Sequence, residues 1–322
     1  MATYLVTGGA GFIGSHVVEE LLLEPVKEIV VYDNLTRGQK ESLRGPQQDP
    51  RVRIVEGDIN HTDVLNEAIA GADIVIHLAA LWLLHCYEYP RAAFQVNIEG
   101  TFNVLEACVR HDVKRLVYSS SASVYGDAIE TPMTEEHPYN NRTFYGATKI
   151  AGEHMCRAFN ERYGLDYVGL RYMNVYGARQ DYKGTYTAVM MKMLDRIRDG
   201  KPLVVYGDGA QTYDFIYVSD VARANVCAMR ASATDAFYNI GFGLGTTVRE
   251  LADLLLEITG SEVGVQYEPE GQTFVTHRVG SVDQAKEELG FGATIELSDG
   301  LRRLVDWRKA EERRNPGGQV EP

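Results

Sequence analysis

The chain has 322 residues, 45% hydrophobic and 24% charged, an ordinary globular composition with enough length for a main core and a smaller second lobe. Its 32 Lys and Arg stand against 45 Asp and Glu, and the formal charge of −13 argues against nucleic-acid backbones and anionic membranes as partners, so an anionic ligand must be held by local donors. Cys86, Cys108, Cys156 and Cys227 form no CxxC pair and no metal-like cluster, no apolar run approaches the ~20 residues of a membrane span, and the N-terminus enters TYLVTGGAG without a signal peptide, so we expect a soluble, cytoplasmic protein with reduced thiols and no metal.

Along the chain, TYLVT, EIVVYD, VRIVEGD, DIVIHLA, RLVYSS and YVGLR are short apolar runs, each followed by a turn and an amphipathic stretch. That alternation implies an α/β fold with a parallel, doubly wound sheet between helices. Past about Gly177 the rhythm loosens, and KPLVVYGDG, YDFIYV and FYNIG read as brief strands separated by helices such as 247–259. The expected division is a nucleotide-binding domain over 1–176 with some later segments returning to it, a smaller α/β substrate lobe over 177–312, and a flexible tail over 313–322. The chain contains no internal repeat.

The first motif is VTGGAGFIGSH, in which Gly8, Gly11 and Gly14 follow a strand and open a helix. Glycines let the backbone turn tightly and approach a pyrophosphate, whose charge then sits at the helix N-terminus. Such a pattern alone is weak evidence, and a glycine turn with capping aspartates would look similar. It gains weight from Asp33, which ends the second strand 19 residues beyond Gly14, where a carboxylate accepts both ribose hydroxyls of NAD and repels the 2′-phosphate of NADP. Asp58 ends the third strand, within reach of an adenine amino group.

The second motif is TFYGATKIAGE, with Tyr145 and Lys149 at i and i+4 on one helix face. A neighbouring ammonium together with an oxidised nicotinamide favours the phenolate, so this tyrosine is expected to exchange a proton near neutral pH. YxxxK pairs are common on surface helices; the NAD-type start and the hydroxyl-rich strand end SSSAS at 119–123 raise this one above that background. In a doubly wound sheet, ligands sit beyond the carboxyl ends of the strands, which explains why the apolar run LVY gives way to serines.

Taken together, TGGAGFIG, DNL, GDI, HLAA, NIEGT, SSSASVYG, YGATK, RYMNVYG, GDGAQTYDFIYVSDV and LGF resemble the extended short-chain dehydrogenase/reductases of the sugar-nucleotide epimerase/dehydratase family, of the UDP-glucose 4-epimerase type, over nearly the whole chain. The resemblance implies a Rossmann-type domain, bound NAD and a nucleotide-sugar substrate, with a UDP-sugar first among candidates. It implies Ser121 as the hydroxyl on the reacting sugar oxygen, Tyr145 as acid/base and Lys149 on the nicotinamide ribose. It also implies cofactor contacts at Phe12, Ile13, Asn34, Ile59, Leu78, Ala79, Ala80 and Tyr172. The family's 4,6-dehydratases carry an Asp-Glu pair where this chain has Ala122 and Ser123, and its decarboxylating members carry Glu at the place of Ser123. Neither residue here replaces a carboxylate, so C4 epimerisation through a transient 4-keto sugar is favoured, with Ser123 at the substrate. A net dehydrogenase or reductase, a dehydratase and a non-catalytic NAD-binding sensor are the alternatives.

Substrate recognition departs from the family pattern. Asn174 matches a diphosphate-contacting Asn, but Tyr213 stands where many members have an arginine that clamps the diphosphate, and a second family arginine is absent, its place falling near Gly271. Exchanging a charge-assisted hydrogen bond of ~1.5–3 kcal/mol for a neutral one weakens phosphate binding. Arg278 is the nearest replacement, with Arg179 and Lys183 behind it. After HLAA, the loop LWLLHCYEYP presents Trp82, His85 and Tyr87 in place of the small polar residue expected near the sugar, an apolar rim that suits a deoxy or N-acetyl sugar, with core packing as the alternative for Trp82 and Leu83. The stretches 91–111 and 145–162 correspond to the helices that form a four-helix dimer interface in the family, so the chain is expected to be a homodimer.

Overall fold

The computed structural model describes residues 1–182, 188–269 and 276–314; Lys183, Gly271 and residues 315–322 of the expected tail lie outside them. The strands are β1 (Ala2–Thr7), β2 (Val26–Asp33), β3 (Val52–Glu56), β4 (Ile74–His77), β5 (Arg115–Ser121), β6 (Tyr167–Tyr172), β7 (Asn174–Tyr176), β8 (Leu203–Tyr206), β9 (Thr212–Tyr217), β10 (Ala236–Ile240), β11 (Gly245–Thr247), β12 (Val265–Glu268) and β13 (His277–Arg278). The α-helices are α1 (Phe12–Leu21), α2 (Thr62–Ile69), α3 (Leu83–Glu88), α4 (Pro90–Ala93), α5 (Gly100–Arg110), α6 (Phe144–Tyr163), α7 (Val189–Arg198), α8 (Val218–Arg230), α9 (Val248–Thr259), α10 (Asp283–Glu288) and α11 (Leu297–Arg314).

Seven strands form one sheet in the order β10-β6-β5-β4-β1-β2-β3, every neighbouring pair parallel. Alternation along each strand divides the core in two. Tyr4, Val6, Ile29, Val31, Ile76 and Val117 face one layer with Val17, Val18 and Leu21 of α1 and Val221, Ala222 and Ala224 of α8. Leu5, Val30, Tyr32, Val75, Leu116 and Tyr118 face the other, against Leu65 of α2, Val104 and Leu105 of α5, and Cys156 and Phe159 of α6. Covered on both faces, such strands read as continuous apolar runs. Each fully buried Val or Leu contributes about 1.5–3 kcal/mol.

FYNIG, read as a brief strand of the second half, is β10, the seventh strand of this sheet, and α8 packs beside α1. The smaller lobe is built on β9, which pairs with β7, β11 and β13, and on the parallel pair β8 and β12. Its core joins Met190, Met191, Met193 and Leu194 of α7 to Leu251 and Leu255 of α9 and Leu301 and Leu304 of α11. Helix α11 continues through Arg314, so residues 313 and 314, expected in the flexible tail, are helical. Among the described residues, no helix is long and apolar enough to cross a membrane.

Helix α6 carries YxxxK. Thr143 caps it, its Oγ1 accepting from Gly146 N at 3.0 Å, and Gly164, left-handed at φ 70°, ends it. Tyr145 therefore lies in the first turn and Lys149 one turn on, opposite the end of β5. The stretch 91–111 is helical from Pro90 to Arg110, with a π-helical segment at Phe94–Glu99.

Candidate active site

The sheet order sets the site. Gly8, Asp33, Asp58, Leu78, Ser121 and Tyr172 all lie at or just beyond the carboxyl ends of β1 to β6, along one edge. Gly8 has φ 70°, and a Cβ there would lie 2.8 Å from Ala79 N; a Cβ on Gly14 would lie 2.1 Å from Gly8 O. Gly11 caps α1 without a side-chain hydrogen bond, leaving the amides of the first turn, Phe12 and Ile13 among them, facing an open backbone cradle.

Buried Asp33 accepts from Ala10 N at 3.0 Å and Leu35 N at 2.9 Å, and burial raises its carboxyl above the ordinary range despite these bonds. Asn34 donates to Asp58 Oδ2 at 2.8 Å, while Asp58 Oδ1 accepts from Asn60 N at 2.9 Å. Ile59 is buried, Leu78 N and Ala79 N both donate to Thr7 Oγ1 at 3.2 Å, and Ala80 is exposed. A glycine cradle with a carboxylate at the end of the neighbouring strand fits NAD.

A hydrogen-bonded chain that sequence reading missed runs under this edge. Thr101 Oγ1 donates to Asn97 O at 2.7 Å, so it accepts from His77 Nε2 at 3.0 Å, and His77 Nδ1 then accepts the Thr7 hydroxyl at 2.7 Å. Burial, then the charge of Lys149, pushes His77 down to about 3, so it is a neutral structural imidazole. Asn97, in the π-helical segment, accepts from Leu81 N at 2.7 Å and donates to Thr148 Oγ1 at 3.1 Å, joining the loop after β4 to α6. HLAA and NIEGT contain His77, Asn97 and Thr101, yet nothing local in either motif shows that they meet.

Ser121, Tyr145 and Lys149 come together. The Tyr145 phenol lies beside Ser121, and burial pushes it up to about 12, against the lowering effects of Ser121 and of Arg278. Lys149 is buried; its Nζ donates to Ser119 O at 2.6 Å and lies 5.8 Å from the centre of the Tyr145 ring. Burial brings Lys149 down to about 8, against the raising effects of Cys86, Glu153 and Cys156. The sequence expectation had the ammonium and an oxidised nicotinamide together lowering the phenol; in the protein alone, burial of the ring raises it. Tyr172, also buried, shares a 3.0 Å hydrogen bond with Ser119 Oγ and donates to Asn225 Oδ1 at 3.0 Å.

Behind the cluster lies a closed ionic network. Arg171 of β6 binds both carboxylate oxygens of Glu153 of α6, at 2.9 and 2.8 Å, and donates to Tyr125 OH and Glu135 O at 2.8 Å and to Tyr139 OH at 3.1 Å. Tyr139 OH donates in turn to Glu153 Oε2 at 2.7 Å, and Ser120 Oγ to Oε1 at 2.5 Å. An arginine inside the apolar run YVGLRY was the available signal.

The opposite side is open. A cavity of about 280 Å³ is lined by Leu83, Ser123, Asp127, Arg142, Thr143 and Arg278, among others. Arg278 lies in register with Tyr213. Its Nε is buried without a hydrogen-bond partner, as is Asn174 Nδ2. Ala122 is fully buried and Ser123 nearly so. Trp82 carries the Arg37 guanidinium 4.2 Å above its ring, and Arg37 donates to Asp181 at 3.1 Å. His85 stacks with Tyr89 at 5.0 Å, and Tyr87 is exposed. Arg179 pairs with Glu19 of α1. Among the described residues, no group of His, Cys, Asp and Glu could hold a metal ion.

The profile of the NAD dependent epimerase/dehydratase family matches residues 4–241, and the chain belongs to that family. UDP-glucose 4-epimerase from Thermotoga maritima, solved with UDP-glucose, is 34% identical with a TM-score of 0.90 over 96% of this chain and 99% of that one. UDP-N-acetylglucosamine 4-epimerase from Methanobrevibacter ruminantium, solved with UDP-N-acetylmuramic acid, is 32% identical, with a TM-score of 0.91 over 96% and 99%. The dTDP-glucose 4,6-dehydratase DesIV from Streptomyces venezuelae, solved with NAD, is 30% identical, with a TM-score of 0.91 over 99% and 100%.

Proposed function

From this family membership we propose that the protein is an NAD-dependent nucleotide-sugar epimerase, acting at C4 of the sugar of a UDP-sugar through a transient 4-keto form. The observation that carries the reading is the convergence of Ser121 and Tyr145 beside buried Lys149, whose Nζ lies 5.8 Å from the Tyr145 ring centre, with no carboxylate at 122 or 123. Bound NAD supplies reversible hydride acceptance. Gly8, Gly11, Gly14 and the first turn of α1 hold its pyrophosphate, Asp33 its adenosine ribose, and Lys149 its nicotinamide ribose. Asn34, Asp58, Ile59, Leu78, Ala79, Ala80 and Tyr172 complete its bed.

Tyr145 takes and returns the proton of the C4 hydroxyl, and Ser121 holds that oxygen in line. The phenol, high in the protein alone, is favoured as phenolate by positive charge from Lys149 and the nicotinamide. Ser123, Asn174, Tyr213, Arg278 and Trp82 form the substrate side, where the unpartnered Asn174 Nδ2 is a donor aimed at an acceptor. Elimination of water needs an additional acid and base, which Ala122 and Ser123 do not supply, and this sets the chain apart from its dehydratase relative.

The protein acts as a homodimer through α5 and α6. Phe102 is 44% and Tyr163 52% exposed on these helices, and Phe102 packs edge-on to Phe159 at 5.4 Å, an apolar face suited to a second copy. The reading includes a cytoplasmic location, consistent with four free cysteines, Cys86, Cys108, Cys156 and Cys227. The test is proton NMR of the protein with NAD and, separately, UDP-glucose, UDP-N-acetylglucosamine and UDP-glucuronate. A C4 epimer from one of them is expected; a net redox product, a dehydrated sugar or no change with any sugar nucleotide would overturn the reading.

A further inference from the structure

Arg278 lines the same cavity as Ser123 and Thr143, and its charge acts on the Tyr145 phenol and on Tyr213. Among the described residues its guanidinium takes part in no hydrogen bond and no ion pair, and its Nε is buried. Asp127, a carboxylate lining the same cavity, is already engaged: it accepts from Thr276 N at 3.0 Å, from Thr276 Oγ1 at 3.0 Å and from His277 N at 3.3 Å. Those bonds fix the residues just before Arg278, and Thr276 O in turn accepts from Thr212 N of β9 at 2.9 Å, so the guanidinium is carried on an anchored strand end. A second cation, Arg142, lines the cavity, also without an ion pair among the described residues.

A guanidinium at a cavity wall, with its Nε buried and none of its nitrogens hydrogen-bonded among the described residues, favours a negative partner. The hydroxyls of a neutral hexose cannot neutralise it, whereas a carboxylate can pair with it through two parallel hydrogen bonds. Position decides which anion. In a nucleotide sugar the diphosphate hangs from C1, across the ring from C4, while the substituent of C5 is adjacent to C4. Arg278 shares its cavity with Ser123, two residues past Ser121, and so meets the sugar, whose C5 substituent lies beside C4.

We propose that the substrate is a nucleotide-linked sugar acid, with Arg278 pairing the carboxylate on C5 and Arg142 adding positive charge at the cavity mouth. This rests on the nucleotide-sugar epimerase reading above and adds the class of sugar.

Calorimetric titration of the NAD-loaded protein with UDP, UDP-glucose and UDP-glucuronate, alongside NMR turnover, tests it. UDP-glucuronate is expected to bind at least tenfold tighter than UDP-glucose. Arg278→Gln should cost UDP-glucuronate at least tenfold more affinity than it costs UDP-glucose or UDP, and Arg278→Lys, which keeps the charge but not the fork, should restore part of it. Equal binding of the two sugars by the wild type would overturn the proposal. So would an equal loss on all three ligands in Arg278→Gln, which would make Arg278 a diphosphate clamp. Tighter UDP-glucuronate binding without any C4 conversion would uphold the sugar-acid class and sink the epimerase reading alone.

Discussion

Two arginines flank the reactive cluster and are treated in opposite ways. Arg171 sits beneath it with its donors directed to Glu153, Tyr125, Tyr139 and the Glu135 carbonyl, on elements β6 and α6 of the main layer. Arg278 sits above it on the last, two-residue strand of the smaller lobe, with its Nε buried and unpartnered. A satisfied buried charge fixes geometry, and an unsatisfied one is destabilising until a ligand arrives. The half of the site that must not move is closed, and the half that must select a substrate is left open.

The contrast breaks first at Arg171. Removing it strands Glu153, and Arg171→Ala should cost about 3–5 kcal/mol of stability, read as a lower denaturant midpoint. Tyr145→Phe should do the reverse, keeping the midpoint while lowering kcat by roughly 10²–10⁴, the usual worth of a general acid/base. A pH profile sharpens the same side. Lys149 is held at about 8 by burial, so its charge is present below that pH and lost above it, and kcat should fall as pH rises past about 8, with the fall abolished in Lys149→Arg even if that variant is slower.

Asn174→Ala removes an unpartnered buried amide. It should leave stability unchanged or raise it slightly while weakening substrate binding at least tenfold, for a lost hydrogen bond of about 1.5–3 kcal/mol to a charged phosphate. The smallest effect is expected at Arg37. The sheet order β4-β1-β2 means that a bridge from the loop after β2, bearing Arg37, to the loop after β4, bearing Trp82, crosses the glycine turn after β1. An exposed ion pair and a cation–π contact are together worth about 1 kcal/mol, so Arg37→Ala should release NAD about fivefold faster in a chase with labelled cofactor.

What could be read from the sequence alone was whatever a single strand, turn or helix determines. The apolar runs specified parallel strands because both faces are covered. Gly8, Gly11 and Gly14 specified a backbone cradle, in which a Cβ on Gly8 or Gly14 would collide, and YxxxK specified a shared face because a helix turns once in 3.6 residues. The tertiary structure decided everything that depends on which loops meet. It made FYNIG the seventh strand, joined Thr7, His77, Thr101 and Asn97 into one chain, paired Arg171 with Glu153 at a separation of 18 residues, and tied Thr276 to Asp127 across 149, which positions Arg278 at the cavity. Spacing rules act within one element, whereas the partner of a buried charge is set by the order in which the sheet brings distant elements together.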